Sequence, residues 1–212
     1  MTNLAKEIKA LKKSSVRETV NRRLKEFESF KSKNTKEWFS ELCFCILTAN
    51  SKAVTALAIQ KELGSKGFCT LCQKEIRDTI KNNKHRFHNN KSKYIVEARH
   101  CIDIKNKIQQ LIKESGEQGA REWLVDKVKG LGYKEASHFL RNVGYKNLAI
   151  LDRHILNLMI EDKILKEKPK SLNKKKYLEI EQKFKNLSQE LNMLPAELDL
   201  YMWRMKTGEV LK

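Results

Sequence analysis

The sequence predicts an all-α protein, and three observations support this fold class. Proline occurs only twice and glycine only eight times in 212 residues, so few positions interrupt a helix. Apolar residues recur three and four positions apart, and few segments alternate apolar and polar residues as a half-exposed strand does. Because 40% of the residues are hydrophobic, the chain can bury a core. We therefore expect two helical lobes.

The N-terminal half is expected to surround one buried helix with amphipathic ones. The pattern predicts helices at residues 4–12, 16–30, 37–47, 52–63, 75–81 and 93–112. Residues 37–47 are apolar on most sides, which is typical of a central buried helix. Gly64 follows the fourth helix, as the glycine after a helix often does, and Gly116 breaks the pattern after the sixth.

The C-terminal half continues the helical pattern and suggests how the lobes divide. Helices are predicted at residues 121–129, from Tyr133 onward, at 175–191 and at 196–206, the last with Pro195 in its first turn. We expect residues 35–125 to form a central lobe. Residues 1–34 and 126–212 would form the second lobe, with a helix-hairpin-helix at 121–144 and a loop at 145–154.

The charge of the chain points to a polyanionic partner. Lysine and arginine number 44 against 26 acidic residues, which gives a formal net charge of +18. Nucleic acid is the first interpretation, a membrane surface the second, and a generally lysine-rich proteome the third. No apolar run reaches the length of a membrane span, and the N-terminus lacks a signal-peptide pattern, so we expect an intracellular protein without membrane contact.

The five cysteines do not suggest a disulfide framework, because their number is odd and their spacing uneven. Cys69 and Cys72 form a Cys-x-x-Cys pair, and zinc would need a second pair of ligands. His85 and His88 keep such a site formally possible. Ordinary core or surface thiols are the favoured interpretation.

A glycine pair marks the segment that carries the chemistry. Gly130-Leu131-Gly132 separates two predicted helices, which is the pattern of a helix-hairpin-helix. Glycines allow positive φ and let a phosphate approach the backbone N–H groups, beside the positive end of the second helix. Such a hairpin grips a DNA backbone without reading sequence. The alternative is that both glycines serve only helix packing.

Lys134 and Asp152 are the candidate catalytic residues. Lys134 lies in the first turn of the second helix, where the helix dipole favours the neutral, nucleophilic amine. That helix rises about 12–15 Å, and the segment after it can span about 25–30 Å, so Asp152 can return to the helix start. The simpler alternatives are a phosphate-contacting lysine and an aspartate that only caps a helix.

Several blocks of this sequence resemble the endonuclease III and 8-oxoguanine glycosylase superfamily, and in particular the archaeal-type 8-oxoguanine DNA glycosylases. The blocks are ELCFCILTAN (41–50), HRF (85–87), GLGYKEASHFLRNVG (130–144), ILDRHI (150–155) and DLYMW (199–203). The catalytic lysine of the family maps onto Lys134 and its aspartate onto Asp152. No cysteine follows Cys101, so the iron–sulfur cluster of many endonuclease III-like proteins is not expected.

The resemblance implies a bifunctional DNA repair enzyme, a glycosylase with AP lyase activity. The damaged nucleotide would rotate into a cleft between the lobes, and the amine of Lys134 would displace 8-oxoguanine from C1′. The resulting Schiff base would allow β-elimination, which nicks the strand. Asp152 would stabilise the positive charge that develops on the sugar. The alternatives are an endonuclease III-like glycosylase for another oxidised base and a non-catalytic helix-hairpin-helix module.

The resemblance also assigns binding residues and partners. The proposed base-binding residues are Asn50, Phe87, Asp199, Trp203 and Lys212. The simpler alternatives are a helix cap for Asn50, a core position for Trp203 and an unused terminal side chain for Lys212. The proposed contacts to the DNA backbone are Lys129, Gly130, Gly132, Tyr133, Lys146, Arg153 and His154. No cofactor is expected, although the backbone carbonyls of Val128 and Leu131 would suit a Na⁺ or K⁺ ion. The expected protein is a monomer that binds double-stranded DNA containing oxidised guanine in the cytoplasm of a prokaryote, at its nucleoid.

Overall fold

The structure, a computed structural model, describes residues 2–210 and 212 and confirms the all-α fold class. All regular secondary structure in these residues is helical. The helices are α1 (Asn3–Lys12), α2 (Val16–Ser29), α3 (Thr35–Thr48), α4 (Ala53–Thr70), α5 (Gln73–Asn82), α6 (His88–Glu97), α7 (Ile104–Lys127), α8 (Tyr133–Asn142), α9 (Arg153–Glu161), α10 (Lys174–Glu190) and α11 (Pro195–Thr207). Short 3₁₀ helices lie at Phe30–Ser32 and Ala98–Cys101.

The chain divides into two compact units. Unit 1 contains Met1–Ser29 and Gly144–Lys212, and unit 2 contains Phe30–Val143. The sequence also predicted one continuous and one discontinuous unit. The structural boundaries differ from residues 35 and 125: unit 2 ends at Val143 and therefore contains α7, the hairpin turn and α8. The chain after the hairpin, from Gly144 onward, joins the N-terminal helices in unit 1.

Helix α3 is the centre of unit 2, as the apolar pattern predicted. It packs against α4, α6, α7 and α8, and its residues from Trp38 to Thr48 are all buried. A capping box joins Asn34 and Glu37 at its start, which satisfies backbone N–H groups that the helix itself leaves unpaired. The position of α3 therefore fixes the helices that surround it.

A buried polar network ties α8 to this central helix. Glu41 of α3 is fully buried, and its carboxylate accepts hydrogen bonds from Asn142 Nδ2 at 2.7 Å and Gln60 Nε2 at 3.2 Å. Next to it, the rings of Trp38 and Phe139 meet edge to face, 6.2 Å apart. A buried carboxylate is tolerated only when it is hydrogen-bonded, so these contacts hold α8 in one orientation.

Unit 1 is organised around α11, which contacts α1, α2, α9 and α10. The segment ahead of α9 is held by two residues of α10. Glu181 accepts a hydrogen bond from the backbone N–H of Ala149 at 3.0 Å, and the Tyr177 hydroxyl donates to the Ala149 carbonyl at 2.8 Å. This segment is therefore rigid where it delivers Asp152 to the start of α9.

The single helix predicted at residues 93–112 is wrong. The structure has α6 ending at Glu97, a 3₁₀ turn at Ala98–Cys101, and α7 beginning at Ile104. Apolar spacing continues through the turn, because 3₁₀ and α-helical periods differ little over one turn. The glycine breaks were predicted correctly: Gly64 and Gly116 have φ of 60° and 69°, although helix resumes after each.

Two further findings concern the cysteines and the membrane. All five cysteines are free thiols, and Cys72 is the exposed one. Among the residues described, no group of three or more histidine, cysteine or acidic side chains is placed to hold a metal ion. Within residues 2–210 and 212, no helix has both the length and the apolar character needed to cross a bilayer.

Candidate active site and nucleic-acid interface

The predicted hairpin lies between α7 and α8. The N–H of Leu131 donates to the carbonyl of Val128 at 3.2 Å, which closes the turn. Gly130 has φ of 88°, and a Cβ atom there would lie 2.5 Å from Cδ2 of Tyr94. Gly130 is therefore required twice, by the backbone conformation and by the close approach of the Tyr94 ring.

The second hairpin glycine does not need positive φ. Gly132 is the N-cap of α8 with φ of −97°, which any residue can adopt, so the expectation of positive φ holds for Gly130 alone. Its N–H donates to Oε2 of Glu135 at 3.2 Å. The Gly-Tyr-Lys-Glu spacing is half of a capping box, and this signal in the sequence could have identified Glu135.

Lys134 is the second residue of α8, as the sequence predicted. Its side chain is 25% exposed, and Nζ lies 3.1 Å from Oε1 of Glu135. One carboxylate therefore contacts both the hairpin backbone and the amine. The amine is near enough to solvent to meet a ligand and is held at the positive end of α8.

Two residues of α7 contact the side chain of Tyr133. Its hydroxyl donates to Oε2 of Glu122 at 2.5 Å, and the guanidinium of Arg121 lies over its ring at 5.2 Å. Arg121 is fully buried and donates from Nη1 to the Ser137 hydroxyl at 3.2 Å. These contacts join the two helices of the hairpin, so its backbone is preorganised.

Lys129 is the exposed cation of the hairpin. Its side chain is 59% exposed, and Nζ lies 3.7 Å from Glu97 and 5.7 Å from the centre of the Tyr94 ring. An exposed ion pair at this distance is worth little and can be exchanged for a phosphate. This geometry is compatible with the predicted phosphate contact.

Two predicted base-binding residues of unit 2 lie in turns next to the ends of helices. Asn50 is exposed and has φ of 60°, directly after α3. Phe87 is half-buried at the start of α6, with the guanidinium of Arg86 over its ring at 4.4 Å. The N–H of Phe87 donates to Nδ1 of His85 at 3.1 Å. A histidine therefore fixes the backbone that carries the Phe87 ring.

Lys91 is a buried lysine that the sequence did not suggest. Lys91 lies on α6 with 5% exposure, and its Nζ donates to the carbonyl of Ile46 at 2.6 Å. Burial lowers the pKa of Lys91 to about 8, while Glu135 raises this pKa and Lys134 lowers it. Its spacing to Ile95, on the apolar face of α6, is the signal that could have revealed it.

Asp152 is the N-cap of α9 in unit 1. Its Oδ1 accepts from the N–H of Ile155 at 2.8 Å, so the capping interpretation is correct. The residue is half-exposed, and Arg153 beside it is exposed. The carboxylate therefore lies at the positive end of α9.

Four other predicted residues also belong to unit 1: His154, Asp199, Trp203 and Lys212. His154 and Trp203 meet edge to face with ring centroids 5.2 Å apart. Trp203 is half-buried and its Nε1 has no hydrogen-bond partner among the residues described. Asp199 is buried one turn earlier on α11, and Lys212 is half-buried.

Lys146 is less available than Lys129 for a phosphate. Its Nζ lies 2.7 Å from Oε2 of Glu28, and its side chain is 27% exposed. Unit 2 thus brings together Lys129, Gly130, Gly132, Tyr133 and Lys134 at the hairpin. Unit 1 brings Asp152 together with Arg153 and His154 at the start of α9. Lys134 and Asp152 belong to different units.

The family model and the most similar relatives found for this chain carry the same description. A family model described as 8-oxoguanine DNA glycosylase matches residues 20–193. The 8-oxoguanine DNA glycosylase/AP lyase of Methanocaldococcus jannaschii is 49% identical over 209 residues, 99% of each chain. That of Korarchaeum cryptofilum is 45% identical over 210 residues, 99% of this chain and 98% of its own.

A solved structure agrees with these relatives. The crystal structure of the Methanocaldococcus jannaschii 8-oxoguanine glycosylase/lyase in complex with 15mer DNA containing 8-oxoguanine has a TM-score of 0.95 to this chain. The two are 48% identical, and the match covers 99% of both chains.

Proposed function

Because this chain belongs to the 8-oxoguanine DNA glycosylase family, we propose that it excises 8-oxoguanine from duplex DNA and then nicks the abasic strand. The observation that carries the catalytic assignment is the position of Lys134. A partly exposed amine lies in the first turn of α8, directly after a preorganised hairpin. The hairpin places a DNA backbone beside this amine, and the amine supplies a nucleophile.

The chemistry starts from the neutral amine of Lys134. Its lone pair forms a bond to C1′ of the damaged nucleotide, and the bond from C1′ to the base breaks. The base leaves with that electron pair and takes up a proton. Loss of the sugar ring bond gives a Schiff base, and removal of a C2′ proton then expels the 3′ phosphate.

Asp152 is the proposed carboxylate partner. A negative charge stabilises the positive charge that develops on the sugar as the base departs. Asp152 can also accept or return a proton during ring opening. Its capping bond to Ile155 uses Oδ1, and the α10 contacts to Ala149 hold the segment ahead of it.

Each unit carries proposed contacts to the damaged base. In unit 2, Phe87 offers a half-exposed ring for stacking, and exposed Asn50 is proposed to enter the gap left in the duplex. In unit 1, Trp203 is the second stacking residue, Asp199 offers an acceptor to an N7–H donor, and Lys212 closes the site. Aromatic stacking is worth about 1–3 kcal/mol per base.

The hairpin is the proposed contact to the phosphates. The proposed hairpin contacts are Lys129, Gly130, Gly132 and Tyr133. Further proposed phosphate contacts are Lys146, Arg153 and His154. A Na⁺ or K⁺ ion would fit the carbonyls of Val128 and Leu131, since a carbonyl that accepts one hydrogen bond keeps a second lone pair. Such an ion would add positive charge next to the bound phosphate, and no cofactor takes part in the chemistry.

The natural partner is double-stranded DNA containing oxidised guanine, bound by a monomer. A chromosomal substrate places this work at the nucleoid, in the cytoplasm of a prokaryote. A chain with net charge +18 is suited to a polyanion. The proposed nucleophile makes the assignment open to a direct chemical test.

The test is borohydride trapping on a duplex with one 8-oxoguanine, comparing wild type with Lys134→Gln. Borohydride reduces a Schiff base to a stable amine, so wild type should give a covalent protein–DNA adduct. Lys134→Gln should give none, and base release should fall at least 100-fold, as expected when a nucleophile is lost. Its affinity for the duplex should stay within about threefold, because one contact among many is changed.

The matched control is Lys127→Gln, since Lys127 lies on the same helix-hairpin-helix, is exposed and pairs with Asp126. This variant should give the wild-type adduct. If Lys134→Gln still formed the adduct, a residue other than Lys134 would be the nucleophile. Adduct and base release with oxidised pyrimidines only would instead favour the endonuclease III-like alternative. Binding without base release on any lesion would return the chain to a DNA-binding module.

A further inference from the structure

A buried histidine links the end of α3 to the start of α6. His85 lies between α5 and α6 and is 2% exposed. Its Nε2 lies 2.9 Å from the carbonyl oxygen of Leu47, and its Nδ1 lies 3.1 Å from the backbone nitrogen of Phe87. The proposed chemistry gives this ring no task. All three residues belong to unit 2, so one buried side chain joins α3 to the residue proposed to stack on the damaged base.

The two partners determine which nitrogen of His85 carries the proton. A backbone N–H can only donate, so Nδ1 accepts from Phe87. A carbonyl can only accept, so Nε2 donates to Leu47. Burial lowers the pKa of His85 below its ordinary value, which favours the neutral ring at neutral pH. The imidazole is therefore neutral, and both of its nitrogens are hydrogen-bonded.

The backbone of His85 is held independently of its side chain. Lys84 has φ of 58°, and its N–H donates to the carbonyl of Lys81 at 2.8 Å. The N–H of His85 donates to the carbonyl of Ile80 at 3.2 Å. These two bonds around a left-handed residue form a Schellman motif at the end of α5. His85 is therefore attached to α5 through its backbone and to α3 through its ring.

Phe87 receives its position from this fixed histidine. It is the N-cap residue of α6, with φ of −101° and ψ of 35°, and its N–H lies ahead of the hydrogen bonds that α6 makes within itself. The guanidinium of Arg86 lies over the Phe87 ring at 4.4 Å, so the opposite face is the one left for a base. Stacking needs a ring that is correctly oriented at contact distance, so a rotation of the Phe87 backbone weakens it.

We infer that His85 is a positioning residue for base excision: through its bond to the backbone of Phe87 it holds that ring in the orientation that stacks on the damaged base. This inference rests on the proposed stacking role of Phe87. It also separates the two steps of the reaction, because an abasic site has no base to stack. Loss of the bond to Phe87 therefore slows base release more than it slows nicking of a preformed abasic site.

Two substitutions separate the two hydrogen bonds of His85. The side-chain oxygen of Asn takes the place of Nδ1 as an acceptor, whereas the longer Gln places its amide near Nε2 and keeps a donor for Leu47. His85→Gln therefore loses the acceptor for Phe87, and His85→Asn retains it. We expect His85→Gln to release 8-oxoguanine about tenfold more slowly, a loss within the range of one base stacked on an aromatic ring. His85→Asn should recover most of the wild-type rate.

The experiment compares single-turnover release of 8-oxoguanine with nicking of a duplex that contains a preformed abasic site. The ratio of the first rate to the second should fall about tenfold in His85→Gln. In His85→Asn the ratio should stay within about twofold of wild type. Adding His85→Gln to Phe87→Ala should change the ratio by less than about twofold, because a residue that acts through Phe87 has no further effect once the ring is absent.

The control is His100→Gln, since His100 is an exposed histidine of unit 2 whose Nδ1 lies 2.6 Å from the carbonyl oxygen of Glu97. Its ratio should match wild type. Equal loss of both steps in His85→Gln would overturn the inference, because the histidine would then serve folding alone, and an unchanged ratio would overturn it as well. A wild-type ratio in Phe87→Ala would overturn the proposed stacking role together with the inference. A wild type that releases no 8-oxoguanine would overturn the proposed function itself.

Discussion

Asp152 caps α9 and is also the proposed carboxylate partner of Lys134, and two substitutions separate these roles. Asparagine caps a helix as well as aspartate does but carries no charge. We expect Asp152→Asn to retain the wild-type melting temperature while base release falls about 100-fold or more, the range expected for a group that assists proton transfer or stabilises developing charge. Asp152→Ala should lose the same activity and also about 1 kcal/mol of stability. Thermal unfolding and single-turnover kinetics measure the two effects.

A matched control exists at the start of α10, where Asn173 accepts from the N–H of Lys176 at 3.0 Å. Asn173→Ala should lose a similar amount of stability and leave base release unchanged. If Asp152→Asn excised 8-oxoguanine at the wild-type rate, Asp152 would be a cap only, and the carboxylate partner of Lys134 would have to be sought elsewhere.

Single residues were predictable where local sequence determines their position. Lys134 and Asp152 were placed at the starts of helices from neighbouring glycines and apolar spacing, and both lie there. Lys91 and His85 were not assigned these contacts. Their carbonyl partners are 45 and 38 positions away, so only the folded chain reveals the bonds. Contacts of this kind leave no local pattern in a single sequence.

At the scale of the hairpin, Gly130 and Gly132 should respond differently to alanine. Gly130→Ala imposes positive φ on a residue with Cβ and brings that atom within 2.5 Å of the Tyr94 ring. We expect a loss of about 1–3 kcal/mol of stability, the usual cost of a strained backbone position. Affinity for undamaged duplex should fall as well, because the hairpin is displaced. Denaturant unfolding and a binding titration measure both.

Gly132→Ala is the control for stability, because φ is −97° and the nearest contact of a new Cβ is the flexible end of Glu135 at 3.2 Å. Its unfolding free energy should stay within about 0.5 kcal/mol of wild type. Equal losses in both variants would show that the two glycines serve packing in the same way, which is the alternative considered from the sequence.

Helices were predictable because their signals are local. The buried helix α3 follows from apolar residues on most of its sides, and α11 follows from Pro195 in its first turn. The break at Ala98–Cys101 was missed, since a 3₁₀ turn preserves the apolar spacing of a helix. The polar network of Glu41 was equally invisible, because its partners come from two other helices.

At the scale of the whole molecule, the boundary between units was the weakest prediction. Unit 1 is assembled from both ends of the chain, and unit 2 is continuous from Phe30–Val143. The sequence shows no change of composition at either boundary. The partition is set by which helices pack together, and that information is non-local.

The net charge of +18 predicts that binding to undamaged duplex is strongly dependent on salt. About four neutralised phosphates would weaken binding roughly a hundredfold between about 50 and 200 mM salt. Lys129→Ala should lower the slope of log affinity against log salt by about one, because an exposed cation next to the hairpin releases one counterion on binding. Fluorescence anisotropy titrations over a salt series measure the slope.

Lys175→Ala is the control that shows whether the salt dependence comes from particular phosphate contacts or from the overall positive charge. Lys175 is exposed on α10 and carries the same charge, but it is not among the proposed phosphate contacts. If binding depends on particular contacts, Lys175→Ala leaves the slope unchanged, because only cations at the phosphates displace condensed ions. If both variants lower the slope equally, the general field of a basic chain provides the attraction, and the hairpin would have to contribute through its backbone N–H groups alone.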